Sequence, residues 1–262
     1  MRQMDPTLEL VACGSSGSWM PTFIEWERTV LQATYDLVDY ISLHAYFEES
    51  EGDRASFLAS GVELDSFIEA VAKTADDVAR EFGSDKRIFL SVDEWNVWYL
   101  KRFQAAPPPV GWPAAPPLSE DDFTVTDAVV VGSLLISLLK HADRVRCACL
   151  AQLVNAIAPI RTLPMGRAWR QTTFYPFALT ARLARGSSIP LTISGPTIET
   201  ARYGRVPAID GVATADETTA AVFLVNRSTT RMIEVELDIG GLGDVVGDGL
   251  QVVLHPHGLG DQ

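Results

Sequence analysis

The stretch "RIFLSVDEWNVWYL", Arg87 to Leu100, decides how the chain is read. An apolar run of strand length passes through Ser91 and Val92 without the strict alternation of a half-solvated strand. Such a run suits a parallel strand covered on both faces. Asp93 and Glu94 follow at the point where that strand ends, with Trp95, Trp98 and Tyr99 immediately after. A carboxylate packed between indoles at a buried strand end is poorly hydrated unless something pairs with it, and burial of that kind usually has a functional reason.

Working outward, the same grammar recurs. "TLELVACGSS" is a short apolar strand closed by small turn residues, and "VDYISLHAYF" is another, ending in His44 and Tyr46. "RVRCACLAQLV" is a further strand, followed by Gln152 and Asn155. Between and after the strands lie four stretches with helical spacing. They are "PTFIEWERTVLQATYDLV", with Pro21 in its first turn; "LDSFIEAVAKTADDVAREFG", with Gly83 as its stop; "TVTDAVVVGSLLISLLKHA", capped by Thr126 or Asp127; and "AWRQTTFYPFALTARLAR". Strand and helix thus alternate four times over residues 1–185. A full (β/α)8 barrel needs about 250 residues, so this is half of one, read as its strands 5 to 8. Polar and aromatic side chains gather past the carboxyl ends of the strands, where a barrel carries its active site.

After Gly186 the pattern changes. "SIPLTISGPTIET", "ARYGRVPAIDGVATAD", "TAAVFLVNRST" and "MIEVELDIGG" are short strands divided by Gly, Pro and Asp turns. Residues 186–262 therefore read as an all-β domain, a partial C-terminal β-sandwich. The fold class is α/β plus all-β. The proline-rich segment "QAAPPPVGWPAAPPLSEDD" follows the strand bearing Glu94, and reads as a rigid surface loop on the active-site face.

Composition narrows the function. Hydrophobic residues make up 47% and mean hydropathy is +0.10, enough for a packed core. With 34 acids against 21 bases the formal charge is -13, which repels nucleic acid and anionic lipid but not a neutral sugar. No apolar run reaches the ~18 residues of a membrane span, and "MRQMDPTLEL" has no signal-peptide core, so the expectation is a cytoplasmic protein. Cys13, Cys147 and Cys149 then read as reduced core cysteines, and the sequon at Asn226 as chance. His255 and His257 lack a third ligand nearby, so no metal site is expected. Aromatic walls suit the C–H faces of a sugar, acids and amides suit its hydroxyls, and glycoside hydrolysis uses two carboxyl groups.

Six blocks, "VACGSSGSWMPTFIEWE", "VDYISLHAY", "DEWNVWY", "LLISLLKHADRV", "LAQLVNAIAPI" and "AWRQTTFYPF", together resemble the α-L-arabinofuranosidases of glycoside hydrolase family 51. The resemblance runs to about Leu254. It implies a (β/α)8 barrel followed by a β-sandwich, and retaining release of terminal α-L-arabinofuranosyl groups from arabinoxylan, arabinan and their oligosaccharides. It also implies no cofactor and a homo-oligomer. Carried over by motif, Glu94 would be the nucleophile, Tyr46 would steer it and His44 would line the same floor. Gln152 would bind a sugar hydroxyl, Trp98 would border the leaving-group side, and Asp93 would orient the site. The family's acid/base glutamate, in a "GNEMDG"-like block, has no counterpart here. The expectation is therefore a fragment: an arabinofuranosidase half carrying the nucleophile, or else a non-catalytic remnant with weak sugar binding or self-association.

Overall fold

The computed structural model describes residues 3–50, 52–107, 109–238, 240 and 251–253. Four parallel strands form the first sheet in chain order: β1 (Val11–Ala12), β2 (Tyr40–Phe47), β3 (Phe89–Val97) and β4 (Val145–Leu150). Helix α1 (Glu25–Thr34) joins β1 to β2, and α2 (Arg54–Leu58) and α3 (Ser60–Phe82) join β2 to β3. Helices α4 (Leu100–Ala105) and α5 (Val125–Lys140) lead from β3 to β4. A small hairpin, β5 (Ile160–Thr162) with β6 (Ala168–Arg170), then precedes α6 (Phe174–Leu183). The first three residues of the "AWRQTTFYPF" block are therefore strand, not helix.

Beyond α6, β7 (Ser187–Pro190), β10 (Ile209–Ala215) and β11 (Ala220–Asn226) make an antiparallel sheet with β10 in the middle. The hairpin of β8 (Thr197–Thr200) and β9 (Gly204–Pro207) stands beside it. Of the expected strand "MIEVELDIGG", Met232–Asp238 is irregular; Ile239 and Gly241 lie outside the described residues. His255 and His257 lie outside them too.

The helix ends follow local chemistry. Gly83 closes α3 in the left-handed conformation, φ 59°, donating its N–H to Arg80 O at 3.2 Å. The cap of α5 is Thr124, upstream of either expected residue. Its N–H and Oγ1 both bond Asp127 Oδ2, at 2.6 and 2.8 Å, so Asp127 serves as the third helical residue of a capping box.

Helices α1, α3, α5 and α6 pack each against the next in chain order. They cover one face of the sheet, the face of Ile41, Leu43, Ala45 and Phe47 on β2 and of Leu90, Val92, Trp95 and Val97 on β3. The expectation of cover on both faces is corrected here. The opposite face carries Tyr40, Ser42, His44 and Tyr46, and its polar residues could not have been buried in a helix layer without partners. The cysteine reading is corrected as well. The three are free but not in the core: Cys13 follows the edge strand β1, Cys147 and Cys149 lie on β4, the other edge strand, and all three are exposed.

An ion network fastens the antiparallel sheet to the helices. Lys140 Nζ lies 2.6 Å from Asp65 Oδ2 and 3.2 Å from Asp210 Oδ2. Arg227, 2% exposed, reaches Asp210 Oδ2 at 2.6 Å. Burial works to raise the Asp65 carboxyl, but His141, Lys140 and Ser137 outweigh it and hold it below the ordinary 3.8. A carboxyl depressed in the folded state contributes stability that is present above its unfolded pKa and lost as pH falls toward the folded one. Asp65→Asn is accordingly expected to destabilise at pH 7 by about 1–3 kcal/mol, with the difference from the parent shrinking below pH 3.8. Urea melts across pH 3 to 7 measure this; a difference independent of pH would exclude the ionic account.

Candidate active site

The site begins with a register defect. Strand β3 runs from Ser91 to Glu94 opposite Ser42 to His44 of β2, so it carries one extra residue there. The same surplus shows against β4, where Val92 to Trp95 stands opposite Ala148 to Leu150. A bulge of this kind re-aims side chains and is frequent beside active sites. Its consequence is visible in one imidazole. His44 Nε2 lies 3.1 Å from Asp93 Oδ1 while its Nδ1 lies 3.6 Å from Glu94 Oε2, so two sequence neighbours face one ring.

Tyr46, two residues along β2, donates from Oη to Glu94 Oε2 at 2.9 Å. Burial, then the Glu94 hydrogen bond and charge, hold the Tyr46 hydroxyl well above the ordinary tyrosine range. It therefore remains a hydrogen-bond donor through the neutral pH range. The Trp98 ring meets Tyr46 edge-on at 5.2 Å. Trp98 Nε1 donates to Ser119 Oγ at 3.2 Å, which draws the far end of the proline-rich loop onto this face.

Two expectations about this stretch change. Trp95 does not wall the acids: it is 0% exposed on the helix side, its ring stacked 6.2 Å from Phe177. Glu94 is not buried either, its side chain being 47% exposed. The extra residue explains both, because it brings Trp95 to the apolar face of Leu90 and Val92 and turns Glu94 to the polar one.

Glu94, Tyr46, His44 and Trp98 line a common cavity of about 430 Å³. Gln152 is not in its wall; it stands exposed on the segment after β4, following a cis Ala151–Gln152 peptide bond. Asn155 is committed to a turn, its Oδ1 accepting from Thr162 N at 2.8 Å. Asn96, quoted above but given no part, ties that segment to β3 by donating to Ala151 O and Ile157 O.

Other contributors were missed. Glu27 is wholly buried and accepts from Ser15 N at 2.8 Å and Ile24 N at 2.7 Å, fixing the loop after β1. That loop supplies Ser16 and Trp19 to the cavity, and its last residue, Ile24, has φ 73°, a costly value for a β-branched side chain. Arg202 and Tyr203, from the β8–β9 turn, complete the far wall. The only available signal was an acid inside an apolar helical face for Glu27; nothing local marks Arg202 or Tyr203. Among the described residues no group of three or more His, Cys, Asp or Glu is arranged to hold a metal ion.

Three comparisons bear on this geometry. Residues 93–257 match the family described as "Alpha-L-arabinofuranosidase C-terminal domain". The intracellular exo-α-(1→5)-L-arabinofuranosidase of Streptomyces lividans is 55% identical over 92% of this chain and 37% of its own length. An exo-α-(1→6)-L-arabinofuranosidase of Bifidobacterium longum is 52% identical over 87% of this chain and 45% of its own. A solved family 51 α-L-arabinofuranosidase from Bifidobacterium longum superposes with a TM-score of 0.82 at 47% identity, covering 87% of this chain and 47% of that one. The chain thus spans less than half the length of each of these relatives.

Proposed function

We propose that this chain, which belongs to the family 51 α-L-arabinofuranosidases, carries the nucleophile side of a retaining site that releases terminal α-L-arabinofuranosyl groups. The observation that carries the reading is the Tyr46–Glu94 hydrogen bond of 2.9 Å, with His44 bridging Asp93 and Glu94 in the second halves of adjacent parallel strands. Glu94 would attack the anomeric carbon as the glycosidic oxygen leaves, forming a glycosyl-enzyme that water then opens. Tyr46 holds the carboxylate in line. Gln152, carried by motif, would meet a sugar hydroxyl only if its segment turned toward the cavity. The relatives named above suggest arabinan-type, α-(1→5)- or α-(1→6)-linked substrates. We read residues 1–185 as the rear of a barrel and 186–262 as part of a sandwich. A cytoplasmic location fits relatives named intracellular, and no described helix is long and apolar enough to cross a membrane.

A second reading has its own observation. The other carboxylates of the cavity are committed: Glu48 to Lys101 at 3.2 Å, Glu63 to Arg202 at 2.9 Å, and Asp53 to the Ser56 N–H at 3.1 Å. Among the described residues none stands ready beside Glu94 as a general acid. On this reading the chain binds sugar weakly and turns nothing over. An aryl α-L-arabinofuranoside with an activated phenol separates the two, since such a leaving group needs no proton. Phenol release specific to the arabinofuranoside, absent with the matching aryl xyloside, supports the first reading; equal background release from both leaves only the second.

Where turnover is seen, Tyr46→Phe is expected to lower kcat by roughly 10- to 100-fold, the worth of one hydrogen bond to a charged group. KM should change little, because the bond orients the attacking group and does not hold substrate. A KM effect without a kcat effect would remove Tyr46 from this position.

A further inference from the structure

The fold leaves two thiols side by side in the open. We propose that Cys147 and Cys149 on β4 form a redox-active dithiol, which exchanges with small organic disulfides and closes to an intramolecular disulfide. This chemistry is independent of Glu94.

Register places the pair. Ser42, Ser91 and Cys147 are partners across β2, β3 and β4, so Cys147 lies on the polar face of the sheet, and Cys149 follows it there two residues later. Ala148, between them, stands opposite Val92 on the helix-covered face. The cause is an extra residue in β4, which runs from Val145 to Cys147 while β3 runs only from Leu90 to Ser91. Without it both thiols would turn toward the helices. As folded, both are exposed and their Sγ atoms lie 3.5 Å apart. Among the described residues no third His, Cys, Asp or Glu is arranged with them to hold a metal ion.

Two residues of strand span roughly 6.6–6.8 Å, the upper end of the roughly 4.4–6.8 Å that separates Cα atoms across a disulfide. A slight pucker of β4 therefore brings the sulfurs into bonding distance, and the edge position permits it. The strand is hydrogen-bonded to β3 on one side and, among the described residues, to no strand on the other. Burial, the neighbouring Cys147 thiol and the Asp93 charge hold the Cys149 thiol above its ordinary 9.0, so Cys147 makes the first attack. Its thiolate bonds one sulfur of a disulfide RSSR, the S–S bond breaks, and the departing RS⁻ takes up the proton that Cys147 released. Cys149 then loses its proton to solvent and attacks Cys147 Sγ, expelling a second RS⁻ that is protonated in turn. The pair gives up two electrons, and RSSR is reduced to two RSH.

The test incubates the reduced full chain with glutathione disulfide, blocks remaining thiols by alkylation and digests with trypsin, which frees Cys147 to Arg161 as one peptide. In the parent that peptide is expected to escape alkylation, to be lighter by two hydrogen atoms and to regain both thiols with dithiothreitol. Cys13, which has no second thiol beside it, should carry a glutathione adduct instead. In Cys149→Ser the first step should stall. Glutathione should then remain on Cys147 at a level at least about tenfold above any the parent reaches, because the resolving thiol is gone. The replaced side chain is exposed, so circular dichroism should report an unchanged fold. Lasting glutathione adducts on Cys147 and Cys149 of the parent, or both thiols recovered alkylated, overturn the proposal. So does a Cys149→Ser variant whose adduct is no more persistent than the parent's.

Discussion

With an activated aryl α-L-arabinofuranoside, the parent chain is expected to accumulate a covalent pentosyl adduct on Glu94, and Glu94→Ala to show none. The expected fall in phenol release is about 10³-fold or more, the usual consequence of deleting a nucleophile. The geometry makes the effect specific to this carboxylate. Glu94 is 47% exposed toward the cavity, accepts a hydrogen bond from the Tyr46 hydroxyl at 2.9 Å and lies beside the His44 ring. Asp93, its neighbour, shares the imidazole but has no tyrosine donor in the geometry described. Asp93→Asn is therefore expected to slow release without preventing adduct formation. Intact-protein mass spectrometry after a short incubation reads the adduct, and peptide mapping places it. An adduct on Asp93, or release unaffected by Glu94→Ala, would end the assignment.

The second large effect is on stability. Trp95→Ala is expected to destabilise the fold by about 3–5 kcal/mol, read as a lower guanidinium midpoint with an unchanged slope. Trp95 is among the largest side chains wholly removed from solvent, and it packs with Phe177 and the core that joins β2, β3, α3 and α5. Truncating it opens a void that a close-packed interior fills only in part. Trp95→Phe should cost less than about 2 kcal/mol, because it keeps an aromatic ring in place. It also deletes an indole N–H that has no hydrogen-bond partner among the described residues. If Trp95→Ala melted with the parent but lost sugar binding, the indole would face the cavity and the bulge would have been misassigned.

The two predictions concern adjacent residues with opposite fates, and local pattern alone does not separate them. In "SVDEWNVW" a strict alternation would set Asp93 and Trp95 on one face and Glu94 on the other. The structure instead puts Trp95 in the core and both acids within reach of His44. One additional residue in β3 against both neighbours inverts the phase. Register is a property of paired strands, so no window of a single strand reveals it. The exposed thiols of Cys147 and Cys149 are similar in kind. An apolar run says that a strand suits a buried place, not that something covers it.

Much else was legible in the chain itself. Four alternating strands and helices, the stop at Gly83, and the change to short turn-divided strands after Gly186 follow from spacing, capping chemistry and the conformations open to glycine and proline. These are local causes, acting over a few residues, and they appear in the structure close to where they were expected. That His44, Tyr46, Glu94 and Trp98 lie toward the carboxyl ends of their strands was equally readable, although β3 runs on past Glu94 to Val97, and the resemblance to a family supplied their expected parts. Tertiary structure alone decided which of those side chains meet, and which distant segments join them. Tyr203 reaches Glu63 across 140 residues of sequence, and Tyr46 reaches Glu94 across 48. The reason is physical: backbone propensity and periodicity act along the chain, whereas a site is an agreement between side chains whose separation in sequence leaves no periodic trace.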